Sequence, residues 1–553
     1  MILDYQQEPA VPPAEPSHSS ASTPAASSQA PFASRVRAET SRLVTLALPI
    51  CGAQLAQAGM SAVDVLMTGR SSATDLAAVS VGSSLWVPLL LLMAGTLMGL
   101  TPVVAQLMGG NRSGEVRDNV HQSLWISLVL GSLSGLALWF LAAPIFTLME
   151  VPGAVAEQAT LYLMAIAWGM PGAAFYQVLR AYSDGMNHTR PALIISLIGL
   201  LSNIPLNYLL IYGSAGVDDL LGITLPGLLG DIPAMGAAGC GIATGLAMWI
   251  MCLSMFLYTR RSSAYQAVAL WCQPSAPQLK KISELLKVGL PIGIAIFFEV
   301  TLFTVIALFV ASFGEIKVAA HQVALNFTSL LFMLPLSLAM ALTVRVGHTI
   351  GRGDMNEARF VAWNGVAFSL VVALINDLVI WVLAEPAVAL YTSNLKVQAL
   401  ALSLITLAML YQVSDSLQVA MAGALRGFKD TRIIMLITMF AYWIIGLGGG
   451  HLLGVGSEQF PVWPWAVESM GVYGYWIGMV AGLTVAALLL GWRLWVIARR
   501  AIQDAGRLRL ILHLRMDGHF VQGGVTVMAQ AVLMVIQGSA FHTRTRRGRS
   551  TSC

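Results

Sequence analysis

Long apolar runs separated by short polar breaks fill the chain between residues 43 and 497. Twelve runs stand out, near residues 43–68, 77–107, 120–143, 160–182, 191–213, 235–258, 285–313, 319–346, 360–384, 397–422, 432–455 and 470–497. About twenty apolar residues suffice for a helix to cross the hydrocarbon of a bilayer. The pattern predicts an all-α, polytopic membrane protein with twelve transmembrane helices.

The pattern repeats at an offset of 242 residues. "LALPI" (46–50) falls on "VGLPI" (288–292), "LAAVSV" (76–81) on "VAAHQV" (318–323), and "MGGNRSGEVR" (108–117) on "IGRGDMNEAR" (350–359). "AAPIFTLM" (142–149) falls on "AEPAVALY" (384–391), and "GMNHTR" (185–190) on "GFKDTR" (427–432). Later, "MGAAG" (235–239) meets "MGVYG" (470–474) after a loop of different length. Each half holds six helices, so both insert the same way up and the repeats are parallel, related by an axis along the membrane normal. Two lobes are expected, residues 35–258 and 285–500, joined by a linker over 259–284. Such bundles suit a transporter that rocks about a site between them; a duplicated bundle without moving parts is the alternative.

Charge gives the orientation. One set of connections carries 21 Lys and Arg residues, the alternate set only Arg70, Lys317 and Lys396. The basic set is therefore expected in the cytoplasm, with both ends of the twelve-helix core. The chain is 57% hydrophobic and 10% charged, where soluble domains carry about 25% charge. The net charge of +4 makes no case for nucleic acid, because the basic residues lie in short loops. The five cysteines show no metal-binding spacing and read as small apolar residues. Residues 1–34, rich in Pro, Ala and Ser, lack a basic start followed by an apolar run; they read as a disordered cytoplasmic tail rather than a secretory signal. A basic tail occupies 501–553. Its uncharged stretch 520–541 is open between a thirteenth helix, an interfacial segment and an altered reading frame without function, and no role is expected of it.

Candidate chemistry lies where polar residues break the repeat, because an intramembrane charge is costly and functional by default. On the first helix Gln57, Ser61, Asp64 and Thr68 share one face; the repeat partner of Asp64 is Ile306. Asn203 and Asn207 share a face of the fifth helix with Pro205 between them, and their partners are Ile445 and Gly449. Glu299, on the seventh helix, answers to Gln57 in the first half. Asp415, on the tenth, has Tyr411 one turn before it and Ala173 as its partner. No Lys or Arg lies in the middle of any drawn span, so these acids need a proton, a metal cation or a cationic substrate. Hard oxygen ligands suit Na⁺ or H⁺. Asp377 is a fourth acid, left between an intramembrane and an interfacial place. Phe297, Phe298, Trp86 and Tyr411 are candidates for stacking on a cation, with plain packing as the alternative.

Other classes fit less well. His321 lies well inside a drawn span and reads as a satisfied polar residue facing the bundle; His348 and His451 lie near helix ends. No nucleophile–base cluster points to an enzyme. The acids form no ring of the kind a channel uses. A flippase for a lipid-linked precursor would want basic residues around its cavity, and the spans are acidic or neutral.

"QAGMSAVDVLMTG", "SNIPLNYLLIYG", "FFEVTLF" and "YQVSDSLQVAMAGALRGFKDTR" together resemble the multidrug and toxic compound extrusion (MATE) family, in its NorM-like branch, over about residues 40–500. The resemblance implies two six-helix lobes, an internal cavity, and export of cationic, often aromatic drugs against an inward flow of Na⁺ or H⁺. It implies cation coupling and substrate binding for Asp64, with Asn203 and Asn207 beside it and Gln57 in the polar cavity. It implies a cation site, for Na⁺ above all, at Glu299, Tyr411 and Asp415. The expectation is a monomeric secondary transporter of a bacterial inner membrane, with no cofactor, no enzymatic activity and no nucleic-acid partner.

Overall fold

A computed structural model describes residues 31–221, 232–457 and 468–517. Among these residues there is no strand. Helices α1 (Phe32–Ser71), α2 (Ala73–Met98), α3 (Leu100–Gly109), α4 (Ser113–Leu148), α5 (Gly153–Ala167), α6 (Met170–Gly185), α7 (Arg190–Leu221) and α8 (Gly236–Arg261) make the first six crossings. Helices α9 (Leu279–Ala311), α10 (Glu315–Gly351), α11 (Met355–Tyr391), α12 (Leu395–Gly427), α13 (Thr431–Met439), α14 (Gly450–Val455) and α15 (Val472–Asp517) make the second six. Backbone groups in lipid must be satisfied within the segment, which is why apolar runs of this length become helices. Polar residues in the short breaks cap them: Ser72, Asp354 and Asn394 accept from the backbone N–H of Asp75, Glu357 and Lys396.

Eleven predicted crossings are helical stretches long and apolar enough to span a bilayer. The fourth is present but broken at Trp168 and Gly169 into α5 and α6, of 15 and 16 residues. There the backbone runs so close to α8 that a Cβ on Gly169 would lie 2.7 Å from the Cα of Gly245. The repeat survives in the breaks as well: Pro49 and Pro291 hold the same place in α1 and α9, as do Pro144 and Pro386 in α4 and α11. The eleventh crossing is interrupted by a π-helix over Phe440–Gly449. Its repeat counterpart in α7 carries Pro205 instead.

Three apolar cores hold the bundle. One gathers α2–α8 with Met60 of α1 and Leu285 of α9; the second gathers α9–α12, the π segment and α15. The third seats Leu43, Leu46 and Ile50 of α1 against Leu338, Leu342, Val361 and Leu425. The start of α1 therefore packs on the second six-helix unit, although the repeat assigns it to the first. In α14, α15 and the π segment, small residues four apart let two backbones meet. A Cβ on Gly478 would lie 2.4 Å from Gly450 Cα, and one on Gly474 2.4 Å from Gly454 N.

Several sequence expectations change at the edges. Residues 32–34, assigned to the disordered tail, begin α1, while 1–30 lie outside the described residues. Residues 501–517, assigned to the basic tail, continue α15, and 520–541 lie outside the described residues. Arg426, counted with a connection, is in the last turn of α12 and only 7% exposed. The polar face of α1 divides: Asp64 and Thr68 are buried, Gln57 is half-buried and Ser61 is exposed. Asp377 lies well inside α11 and is buried, and its Oδ1 has no partner among the described residues.

Candidate functional site

The first site is built around Asp64, 5% exposed on α1. Its Oδ1 accepts from Asn207 Nδ2 at 2.6 Å and Asn203 Nδ2 at 3.2 Å, both from α7. Its Oδ2 accepts from Thr244 Oγ1 of α8 at 2.9 Å, and the Cys240 thiol reaches the same carboxylate. Asn207 also donates to Asn203 Oδ1 at 3.0 Å, while its own Oδ1 has no partner among the described residues. Spacing placed Asp64, Asn203 and Asn207 correctly and missed Thr244 and Cys240. Nothing in the apolar context of "GCGIATG" marks these two except their one-turn separation. Gln57 stands apart from this cluster and donates to Ser196 Oγ at 3.4 Å, which in turn meets the Tyr176 hydroxyl at 3.0 Å. Trp86 donates to Tyr162 Oη at 3.1 Å and is 7% exposed, so packing holds it in this state.

The second site lies between α9 and α12. Asp415 is 2% exposed, and its Oδ1 has no partner among the described residues. Tyr411, one turn earlier, directs its hydroxyl to this carboxylate, and half-buried Glu299 is close enough to repel it. Gln412 and Ser416, on the same stretch of α12, are buried with polar atoms that have no partner among the described residues. Such a concentration of unsatisfied donors and acceptors marks a place that takes in water or an ion. The expectation that no basic residue stands near these acids is corrected: Arg426 acts electrostatically on Glu299. The miss came from drawing the tenth span to residue 422, one turn short. His321 is satisfied at one nitrogen only, where Nδ1 accepts from Trp476 Nε1 at 3.1 Å; Nε2 has no partner among the described residues. Phe298 sits edge-on to Trp443, with centroids 5.7 Å apart.

At the Arg-rich end the two six-helix units are shut against each other. Gly99 meets Gly289, where a Cβ would lie 2.4 Å from the opposing Cα, and Gly95 meets Gly293 in the same way at 2.8 Å. Arg345 of α10 binds Glu39 of α1 through two bonds of 2.7 Å, and Arg35 reaches Glu357 at 2.6 Å. Lys429, just after α12, is held down to about 8, by burial first and then by the neighbouring Arg112.

Two parallel repeats, a separate buried acid cluster in each, and close contact at one end are the architecture of a two-lobe membrane transporter. The sequence profile of the MatE family matches residues 49–209 and 291–450, more than half of the chain, with starting points separated by the same offset as the internal repeat. The multidrug resistance protein PmpM of Pseudomonas aeruginosa is 46% identical over 475 residues, covering 86% of this chain and 95% of that relative. The multidrug resistance protein NorM of Aliivibrio fischeri is 42% identical over 460 residues, covering 83% and 95%. Among solved structures, the eukaryotic MATE transporter AtDTX14 superposes with a TM-score of 0.72 at 21% identity, covering 85% of this chain and 99% of that one. An outward-facing MATE transporter of the MOP superfamily superposes with the same score at 19% identity, covering 84% and 96%. The chain belongs to the MATE family of transporters, and it is not an enzyme.

Proposed function

We propose that this chain exports cationic, often aromatic compounds by antiport with Na⁺ or H⁺. The observation that carries the reading is the pair of buried acid sites, one in each unit, above an end that is sealed. The Arg-rich end is taken as cytoplasmic in a bacterial inner membrane, which puts the seal on the inner side. A cation entering from outside meets Asp415, Glu299 and the Tyr411 hydroxyl, hard oxygen donors that suit Na⁺ or a proton. Asp64, with Asn203, Asn207 and Thr244, offers the first unit's binding place for a proton or a cationic drug. Coupling needs each ligand to bind the two states with different affinity. The relatives' names, multidrug resistance proteins, support a drug as cargo. The acids that predominate at both centres speak against a pyrophosphate-bearing lipid. One chain carries both units, and a monomer is taken as the working form.

The test is efflux of a fluorescent cationic dye, such as ethidium, from loaded vesicles. Efflux is triggered first by Na⁺ at fixed pH, then by a pH step without Na⁺. A Na⁺ response lost in Asp415→Asn supports Na⁺ antiport. A response to pH alone moves the coupling to protons. Correctly inserted protein that moves dye under neither gradient refutes the reading.

A further inference from the structure

The connections that follow α6 and α12 are the same turn, built once in each repeat. Asn187 and Lys429 both take a left-handed backbone, at φ 66° and 61°. His188 N–H bonds Ser183 O at 3.0 Å, and Asp430 N–H bonds Leu425 O at 3.1 Å. His188 and Asp430 therefore hold equivalent places. The space beside them is filled differently. In the second unit the Asp430 carboxylate accepts from Arg493 Nε of α15 at 2.6 Å. The first unit has His188 in place of Asp430 and, at the offset of 235 residues that relates α8 to α15, Tyr258 in place of Arg493. Where the ion pair would stand, a cavity of about 340 Å³ opens between α1, the turn and α8. Thr45, Leu46, Asn187, His188, Arg190 and Tyr258 are in its wall, and no acid is. Arg190 enters no ion pair among the described residues. Arg260 and Arg261, in the same last turn of α8 as Tyr258, add positive charge. The second unit thus carries its own anion at this place, and the first leaves the place open.

We propose that this cavity binds the phosphate head group of an anionic lipid from the leaflet at the Arg-rich end. The phosphate oxygens take the place that the Asp430 carboxylate holds in the second unit. Arg190 offers them a planar fork of N–H donors that suits two oxygens at once. The Thr45 hydroxyl, the Asn187 amide and the His188 ring supply further donors. Free phosphate presents the same oxygens, and the membrane side of the cavity favours the lipid. Leu48, one turn beyond Thr45 on α1, is 60% exposed, and Ile194, one turn beyond Arg190 on α7, is 52% exposed. Helices α1 and α7 run side by side, with Gly52 against Leu193. The two exposed side chains therefore continue the cavity into the bilayer as an apolar track for an acyl chain. Basic pockets between membrane helices at this level take anionic head groups.

The test is native mass spectrometry of the full chain released from detergent that carries phosphatidylglycerol or phosphatidylcholine. The native chain is expected to retain one phosphatidylglycerol under conditions that strip phosphatidylcholine. Arg190→Gln is expected to weaken that retention by about tenfold or more, as befits a lost hydrogen bond between charged groups. Arg432→Gln removes the same charge at the repeat-equivalent position, where Asp430 already supplies the anion, and is expected to retain lipid as the native chain does. His188→Asp with Tyr258→Arg rebuilds the second unit's ion pair in the first without changing net charge, and is expected to lose the lipid. A native chain that does not distinguish the two lipids overturns the proposal. An equal loss in Arg432→Gln and Arg190→Gln shows that surface charge alone holds the lipid, and overturns it too. Native retention in Arg190→Gln has the same consequence, as it does in the double variant should Arg190→Gln not fold. Inorganic phosphate is expected to protect the chain from thermal unfolding less than the lipid does, since it leaves the apolar track empty. Equal, Arg190-dependent protection by phosphate assigns the cavity to a free anion and overturns the lipid.

Discussion

Arg345→Ala strands a carboxylate. Glu39 is 2% exposed and takes two hydrogen bonds of 2.7 Å from Arg345, with only a 3.5 Å contact from Arg42 beside them. Removing one member of a buried pair costs about 3–5 kcal/mol, because the other charge stays buried without its partner. Arg345 keeps 11% of its side chain exposed, so the low end, about 3 kcal/mol, applies. The pair ties α1 to α10, and its loss is felt only while the Arg-rich end is shut. The penalty therefore falls on the closed state, and at 1.4 kcal/mol per factor of ten the open fraction rises about 100-fold. Met340 lines a small cavity between the units, and a cysteine there is expected to react from the Arg-rich end faster when the units part. In vesicles exposing that end, with Cys272 replaced by Ser, the reaction of Met340→Cys with a membrane-impermeant thiol reagent follows the open fraction. Arg345→Ala is expected to speed it about 100-fold, levelling off once the open state dominates. Glu39→Gln with Arg345→Met leaves no buried charge and is expected to return most of the rate toward native. Labelling of Arg345→Ala at the native rate, or a double variant as fast as the single, refutes the reasoning.

Three further outcomes follow from the geometry. Asn207→Leu removes the 2.6 Å bond to Asp64 and the link to Asn203; dye efflux is expected to fall by about tenfold or more, and Thr244→Val by less, since a hydrogen bond to a charged group is worth about 1.5–3 kcal/mol. Native efflux from Asn207→Leu shows that the cluster is not used. Gly478→Ala puts a Cβ 2.4 Å from Gly450 Cα and 2.5 Å from Gly446 O, whereas Gly449→Ala meets nothing within 4 Å; the first is expected to cost about 1–3 kcal/mol and lower the thermal midpoint by a few degrees, the second little. Lys429, held at about 8, is neutral in the closed state over a range where a solvated lysine is charged. Its acylation, followed by peptide mass spectrometry, is expected to inflect near pH 8, and an inflection above pH 10 contradicts the burial argument.

The number of crossings was legible because lipid leaves a segment few choices: an apolar run of sufficient length becomes a helix. The unit duplication was legible because it is written in residues such as Pro49 and Pro291 that fix helix geometry in both halves. Asp64, Asn203, Asn207, Glu299 and Asp415 announced themselves by being polar where neighbours are apolar. Thr244, Cys240 and Glu39 did not, because a hydroxyl, a thiol or an acid near a helix start is unremarkable until a partner from another helix arrives. Hydropathy also misplaced Arg426. Read as part of a basic connection, it ended the drawn span at residue 422, while α12 continues through Gly427. The break at Gly169 and the π segment escaped for a different reason: both answer to close approach of a second helix, which no single-segment pattern contains.

The division between what repeats and what does not fits the exchange proposed above. A seal that must open and close between two similar units is built most simply from contacts related by the repeat. The hydrogen bonds of Gln106 to Gly427 O and of His348 to Gly185 O, both across the boundary between the units, have that form. A binding centre has the opposite requirement. Asp64 faces two asparagines and a threonine, whereas its counterpart position is Ile306, buried in apolar packing. Glu299 and Asp415 stand where the first half has Gln57 and Ala173. Two identical acid centres would bind the same cation in both units and give an exchanger nothing to discriminate. Different centres joined by a symmetric hinge allow each ligand to favour a different state, which is the condition for coupling.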